Sequence, residues 1–276
     1  EPGVVLPSDR TPGPGTVFVY SGQGSQWPGM GKRLLADEPA FAAAVAELDP
    51  IFVEQAGFSL REVLEAGEPL AGIARIQPAL VGVQLALTAL WRAHGVEPDA
   101  VIGHSMGEVT AAVVAGALSA VDGIRVIATR SRLMSALSGQ GAMALLELSA
   151  AAAEELIADY PGTTVAVYAS PQQTVIAGPP EQVDAAIAAV DAQGRLARRV
   201  EVDVASHHPT IDPILPELRS ALADLAPRTP TIPVLSTTGD AGAEPAFDAD
   251  HWVANLRHPV RFSQAVAGAG ARHGTF

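Results

Sequence analysis

The stretch "DAVIGHSMGEVTAA" (Asp99 to Ala112) joins a short apolar run to a small-residue helical pattern through a serine set between glycines. Asp99 to Gly103 reads as a buried strand, followed by a helix to about Leu118. Gly103-His104-Ser105-Met106-Gly107 thus has the form Gly-x-Ser-x-Gly at a strand-to-helix turn, the setting of a nucleophile elbow. Glycines let the backbone make that turn, and the serine hydroxyl projects over the sheet edge. N–H groups at the start of the following helix can donate to a developing oxyanion. With 26 glycines in the chain, the same five residues also suit a plain packing turn. The buried strand before them favours the elbow.

Working outward, "TVFVY" (Thr16 to Tyr20) is a β-branched and aromatic strand that runs into the glycine-rich loop "SGQGSQWPGMG" (Ser21 to Gly31). Helical patterns follow at Pro39–Val53, Leu60–Glu65 and Pro78–His94, with Pro78 expected in the first turn. Another helix is expected at Val121–Leu137 after the elbow helix. This alternation predicts a mainly parallel sheet covered on both faces. From about residue 141 the pattern becomes β-α-β-β-α-β, the ferredoxin-like order, ending in the expected strand "LARRVEVDV". "IPVLSTT" (Ile232 to Thr238) reads as a returning strand. The expected fold class is α/β: an α/β-hydrolase-like large subdomain with a parallel sheet and an inserted ferredoxin-like small subdomain. Residues 1–15 read as a Pro/Gly linker tail, 16–140 and 204–276 as the core, and 141–203 as the insert.

The bulk numbers narrow the function. A net charge of −13 argues against nucleic acid as a partner. The absence of cysteine rules out thiolate catalysis and disulfides and fits a reducing cytoplasm. The longest uncharged runs, Ile76–Trp91 and Val109–Val121, fall short of a membrane span. The chain opens on Glu1-Pro2 with no signal-peptide pattern, and the missing Met reads as a segment of a longer polypeptide.

A serine nucleophile needs a base. Of the seven histidines, His94 and His273 read as surface residues, and His104 flanks the serine. His207 follows the strand pattern "VEVDVA" and so falls at a strand end, where α/β sites gather. A solvated loop histidine fits that position about as well, and His208 would face elsewhere. Asp203 and Asp212 are nearby carboxylates, though neither stands out as a third member. A backbone carbonyl can orient an imidazole equally well.

Seven ordered motifs then carry a resemblance: "GQGSQWPGMG", "IQPAL", "GHSMGE", "AGALS", "ATRSRLM", "VASHHP" and "WVANLRHPVRF". Together they resemble the acyltransferase domains of type I polyketide and fatty acid synthases over almost the whole chain after residue 15. The wording is nearest to synthases of mycocerosate- and phthiocerol-type methyl-branched lipids. The resemblance implies Ser105 as nucleophile and His207 as its base. It implies that the carbonyl of His258 orients His207, and that the N–H groups of Gln23 and Met106 form the oxyanion hole. Arg130 would grip the free carboxylate of a malonyl-type acyl group, a task suited to a planar fork of donors. Gln77 and His104 would line the pocket, and Arg132 would face solvent.

Val204-Ala205-Ser206-His207 matches the family's selectivity tetrad. Ser206, where malonyl-selective members tend to carry Phe, leaves room for an α-methyl group. Val204 replaces the usual Tyr. The resemblance therefore implies transfer of methylmalonyl or malonyl from its coenzyme A thioester to the phosphopantetheine thiol of an acyl carrier protein. No bound cofactor and no metal are expected. Expected partners are the carrier protein and neighbouring synthase domains, with Arg195, Arg198 and Arg199 as a candidate docking patch. A serine hydrolase or thioesterase of the same fold, and an inactive docking module, are the alternatives.

Overall fold

The computed structural model describes residues 15–202, 204–239 and 244–276; most of the expected linker tail and the candidate acid Asp203 lie outside them. The chain begins with strand β1 (Val17–Tyr20), then helices α1 (Lys32–Asp37), α2 (Pro39–Ala56), α3 (Leu60–Ala66) and α4 (Ile73–Ala93). Strand β2 (Ala100–Gly103) leads into α5 (Gly107–Val114) and α6 (Ala120–Ser135). A second unit follows: β3 (Ala142–Leu146), α7 (Ala150–Ile157), β4 (Thr164–Ser170), β5 (Gln173–Gly178), α8 (Pro180–Asp191) and β6 (Ala197–Arg199). A 3-10 helix (Pro209–Ile214), α9 (Leu215–Ala221), β7 (Val234–Leu235), α10 (Ala249–Arg257) and α11 (Phe262–Gly270) complete the order.

β1, β2 and β7 form a parallel sheet in that order, with Val17 opposite Ala100 and Val101 opposite Val234. Side chains alternate along each strand, so β2 sends Ala100 and Ile102 toward α11 and Val101 toward α5. Both faces are thus covered, which is why β2 is apolar throughout. The second sheet is antiparallel with order β4-β5-β3-β6, the ferredoxin-like arrangement. It docks on the large unit through Val260, whose N–H donates to the Ala166 carbonyl and whose carbonyl accepts from the Tyr168 N–H, both at 2.9 Å.

Several expected boundaries move. α4 starts at Ile73, so Pro78 sits inside the helix rather than in its first turn. The buried stripe already includes Ile73 and Gln77, and that packing outweighs the hydrogen bond proline removes. At 21 residues α4 is long and apolar enough to cross a bilayer, contrary to the shorter run read from sequence, but it is mostly buried against α2, α5 and α6. β6 covers only Ala197–Arg199 of the expected strand. Val200 still donates its N–H to the Met143 carbonyl at 2.9 Å, but beyond it the pairing stops: Val200 and Val202 pack their side chains in the cluster of Met143 and Val260, and Val204 makes an isolated bridge to Gln140. β7 stops at Leu235, because the polar groups of Ser236, Thr237 and Thr238 turn to a buried carboxylate instead of a neighbouring strand.

Candidate active site

The elbow is built by close packing. A Cβ on Gly103 would lie 2.1 Å from the Glu108 Cα, and one on Gly107 would lie 2.2 Å from the Tyr20 carbonyl oxygen. Only glycine allows β1, β2 and α5 to approach this closely. Ser105 between them has φ 54°, in the left-handed region. Three non-glycine residues among those described share that conformation, and His207 (φ 59°) is another of them. Such backbone costs about 1–3 kcal/mol each and persists where the surroundings enforce it.

The two strained residues meet. Ser105 Oγ and His207 Nε2 are 2.8 Å apart. His207 Nδ1 is 2.9 Å from the His258 carbonyl oxygen. A carbonyl only accepts, so Nδ1 carries the proton and donates it, leaving Nε2 to accept from the serine hydroxyl. The His207 N–H is fixed to the Leu256 carbonyl at 3.0 Å, so α10 and the turn after it hold the ring from both ends. Burial, then the Arg130 charge, then His104, push the His207 pKa down to about 3, and the ring is neutral at neutral pH. Asp212 is turned away in an ion pair with Arg257. His208 accepts from the Thr210 N–H and meets the Gly162 carbonyl, outside the site.

Arg130 comes from α6 and is buried. Its Nη2 donates to Ser105 Oγ at 3.0 Å and its Nη1 to Asn255 Oδ1 at 2.6 Å. Its buried Nε has no hydrogen-bond partner among the described residues. Burial lowers its pKa to about 10, with Glu108 opposing the shift, so the guanidinium stays charged. Arg132, on another face of α6, is exposed beside Glu217.

Ser105 and His207 open on a cleft of about 100 Å³ that Gln23, Gln77, His104, Met106, Val204 and Ser206 also line. The backbone N–H groups of Gln23 and Met106 bond no other described residue and are free to donate. Gln77 Nε2 donates to Gln23 Oε1 at 3.1 Å, tying the glycine-rich loop to α4. His104 packs its ring edge-on to Phe262, and burial lowers its pKa. Ser206 Oγ lies 3.6 Å from Met143 Sδ, and Val204 is buried beside it. Among the described residues no group of three or more His, Asp or Glu could hold a metal ion.

Behind these residues lies a polar network that the sequence does not announce. Glu108 is fully buried and accepts from Ser236, Thr237, Thr238, His251 and Asn255. Burial raises its pKa, but the hydrogen bond and charge of His251 and the hydroxyl donors outweigh this, leaving it below the ordinary value. Asn255 Nδ2 also donates to the Ser105 carbonyl at 3.3 Å. In the sequence Glu108 is only the end of "GHSMGE", where it passes for an ordinary acid in a first helical turn.

Comparison with known proteins agrees with this geometry. The sequence pattern of the family described as "Acyl transferase domain" matches residues 17–276. A phenolphthiocerol/phthiocerol polyketide synthase polypeptide of Mycobacterium tuberculosis is 72% identical over 274 residues, covering 99% of this chain and 15% of that protein. The chain thus spans a small part of such relatives. The solved acyltransferase domain of the polyketide synthase PpsC of Mycobacterium tuberculosis superposes with a TM-score of 0.91 at 62% identity, covering 95% of this chain and 81% of that one. The malonyl CoA-acyl carrier protein transacylase of Coxiella burnetii superposes with a TM-score of 0.84 at 28% identity, covering 94% of this chain and 84% of that one. A buried histidine and arginine that meet at one serine hydroxyl, on a fold and sequence shared this fully, place the chain in the acyl transferase domain family, as an acyltransferase domain of a polyketide synthase.

Proposed function

We propose that this domain moves a malonyl-type extender unit, methylmalonyl foremost, from coenzyme A to the phosphopantetheine thiol of an acyl carrier protein. The observation that carries the reading is the meeting of His207 Nε2 and Arg130 Nη2 at one hydroxyl, Ser105 Oγ. His207 takes the serine proton as Oγ attacks the thioester carbonyl. The N–H groups of Gln23 and Met106 receive the oxyanion. Collapse breaks the C–S bond, and the imidazolium returns its proton to the departing coenzyme A thiolate. The carrier thiol reverses the sequence and regenerates Ser105.

In this reading Arg130, whose Nη2 already reaches Ser105 Oγ at 3.0 Å, meets the far carboxylate of a malonyl group carried on Ser105. A buried guanidinium with an unsatisfied donor favours such an anion over a plain acyl chain. The Coxiella burnetii relative is by name a malonyl CoA-acyl carrier protein transacylase, which supports the same class of donor and acceptor here. In this reading the small Ser206 side chain, beside Met143, is what admits an α-methyl branch. In this reading no cofactor or metal is bound, and coenzyme A and phosphopantetheine enter only with the substrates. A cytoplasmic setting beside other synthase domains belongs to the same proposal.

Intact-mass analysis after mixing the domain with a pool of acyl-CoAs tests it. A methylmalonyl or malonyl adduct that disappears in Ser105→Ala is the expected result. An acetyl adduct in preference, or an adduct that survives Ser105→Ala, overturns the assignment. Steady release of free acid that carrier protein does not suppress would identify a hydrolase instead.

A further inference from the structure

We propose that Glu108 and Asn255 form a buried strut that decides which edge of the Arg130 guanidinium faces the acyl group, and so sets the preference for dicarboxylic over monocarboxylic donors. This rests on the reading above that Arg130 meets the substrate carboxylate. Neither residue touches substrate; both are positioning residues.

A guanidinium offers a carboxylate two kinds of bidentate contact, end-on through Nη1 and Nη2 or side-on through Nε and Nη2. Here Nη1 is already engaged by Asn255 Oδ1 at 2.6 Å. Nε is buried without a partner. Nη2 rests on Ser105 Oγ, the atom that becomes the ester. The edge left without a fixed protein partner is therefore Nε with Nη2, and acylation of Ser105 changes what Nη2 meets.

What fixes this choice is the orientation of the Asn255 amide. Its Nδ2 faces acceptors: Glu108 Oε2 at 3.4 Å, Thr238 Oγ1 at 3.1 Å and the Ser105 carbonyl at 3.3 Å. An ionised carboxylate has no donor, so the amide must turn its NH₂ toward Glu108 and its oxygen toward Arg130. Flipped, the amide would set NH₂ against guanidinium N–H. Glu108 is held ionised by donors from three directions: Ser236 to Thr238 after β7, His251 on α10, and Asn255 itself. It is also the negative charge that offsets the buried Arg130. The same strut reaches the elbow through the Ser105 carbonyl, linking the carboxylate grip to the nucleophile's backbone.

The test measures loading with methylmalonyl-CoA, malonyl-CoA and acetyl-CoA for wild type, Glu108→Gln and Asn255→Ala, each also in an Arg130→Ala background. Melting is recorded for every variant, and the isosteric Glu108→Gln carries the test if Asn255→Ala does not fold. The expected result is a fall of about ten-fold in the dicarboxylic-to-acetyl loading ratio, the size of one hydrogen bond to a charged group, expressed in KM more than kcat. In the Arg130→Ala background neither substitution should change the ratio further. Equal losses for all three donors, or a ratio change that persists without Arg130, would overturn the strut. A wild-type domain that loads no dicarboxylic group would instead sink the functional reading, before any variant is compared.

Discussion

The large and small subdomains line the same cleft with different chemistry. The large subdomain brings every polar side chain of the lining, among them Gln23, Gln77, Ser105 and His207, beside the apolar Ile73, Met106, Met134 and Val204, and the small subdomain brings only Met143, Val167, Val175, Val200 and Val202. The large one also holds the strained backbone and the fully buried Glu108, whereas the small one buries alanines and branched aliphatics and keeps its charged pair Arg199–Asp184 at the surface. A reacting centre needs donors and acceptors fixed in a dry place, which demands a network in which each group has a partner. A selecting wall needs only shape. The difference teaches that changes on the large side should alter chemistry by orders of magnitude, and changes on the small side should alter fit or nothing.

Arg130→Ala tests the polar side most severely. Removing one member of a buried, hydrogen-bonded charge pair costs about 2–5 kcal/mol, so malonyl-type loading should fall at least about 30-fold relative to acetyl. The pH profile adds a second reading. The His207 pKa is depressed to about 3 by burial first and by Arg130 next. Loss of Arg130 should therefore raise it, and the acid limb of kcat/KM for acetyl-CoA should move to higher pH. The wild-type domain should lose no activity through His207 between about pH 5 and 7, because the ring stays neutral there. Stability runs the same way: the unfolded chain takes up a proton near its ordinary pKa of about 6.5 that the folded ring refuses, so this contribution is complete above that pH and declines as pH falls toward 3. An acid limb unmoved by the substitution would separate Arg130 from the histidine.

Ser206→Phe works where the wall meets the dyad. The added ring would occupy the space beside Met143 Sδ, and preference should shift from methylmalonyl- to malonyl-CoA by about ten-fold, the scale of one methyl contact. Competition between the two thioesters in one reaction measures it. An unchanged ratio would move selectivity to the small-subdomain valines.

How much of this was legible in the sequence follows the same division. The elbow was, because Gly103, Ser105 and Gly107 are adjacent and their close packing forces a local signature. The β-α-β-β-α-β order of the antiparallel unit was, because alternation and turn residues mark its elements, though its last strand is shorter than expected. His207 stood out only modestly from sequence position, since its role depends on a carbonyl 51 residues away. Arg130 became visible through resemblance rather than pattern. Glu108 and Asn255, bonded across 147 residues, left no local mark at all. The expected strand over Ile232–Thr238 forms only as Val234–Leu235 for a related reason: the hydroxyls and N–H groups after it satisfy Glu108, a partner that β-propensity cannot foresee.

The smallest effect should come from Arg199→Ala, and it sharpens the comparison by what it leaves alone. Arg199 on β6 donates through Nε and Nη2 to Asp184 on α8 at 2.7 Å, geometry as good as that of Arg130. Its side chain, however, is 47% exposed and that of Asp184 54%. Water screens the pair and already solvates both charges when it breaks, so its loss should cost under about 1 kcal/mol and less in high salt. Acyl loading on Ser105 should be unchanged. Urea unfolding at low and high salt measures the first point, and intact-mass loading the second. Because Asp184 neutralises Arg199 in place, the same substitution should barely affect transfer to an acidic carrier, leaving Arg195 and Arg198 as the cations of that edge with more to offer. A loss above about 2 kcal/mol, or slower loading, would mean that charge matters on the small side too, and the two sheets would no longer differ in kind.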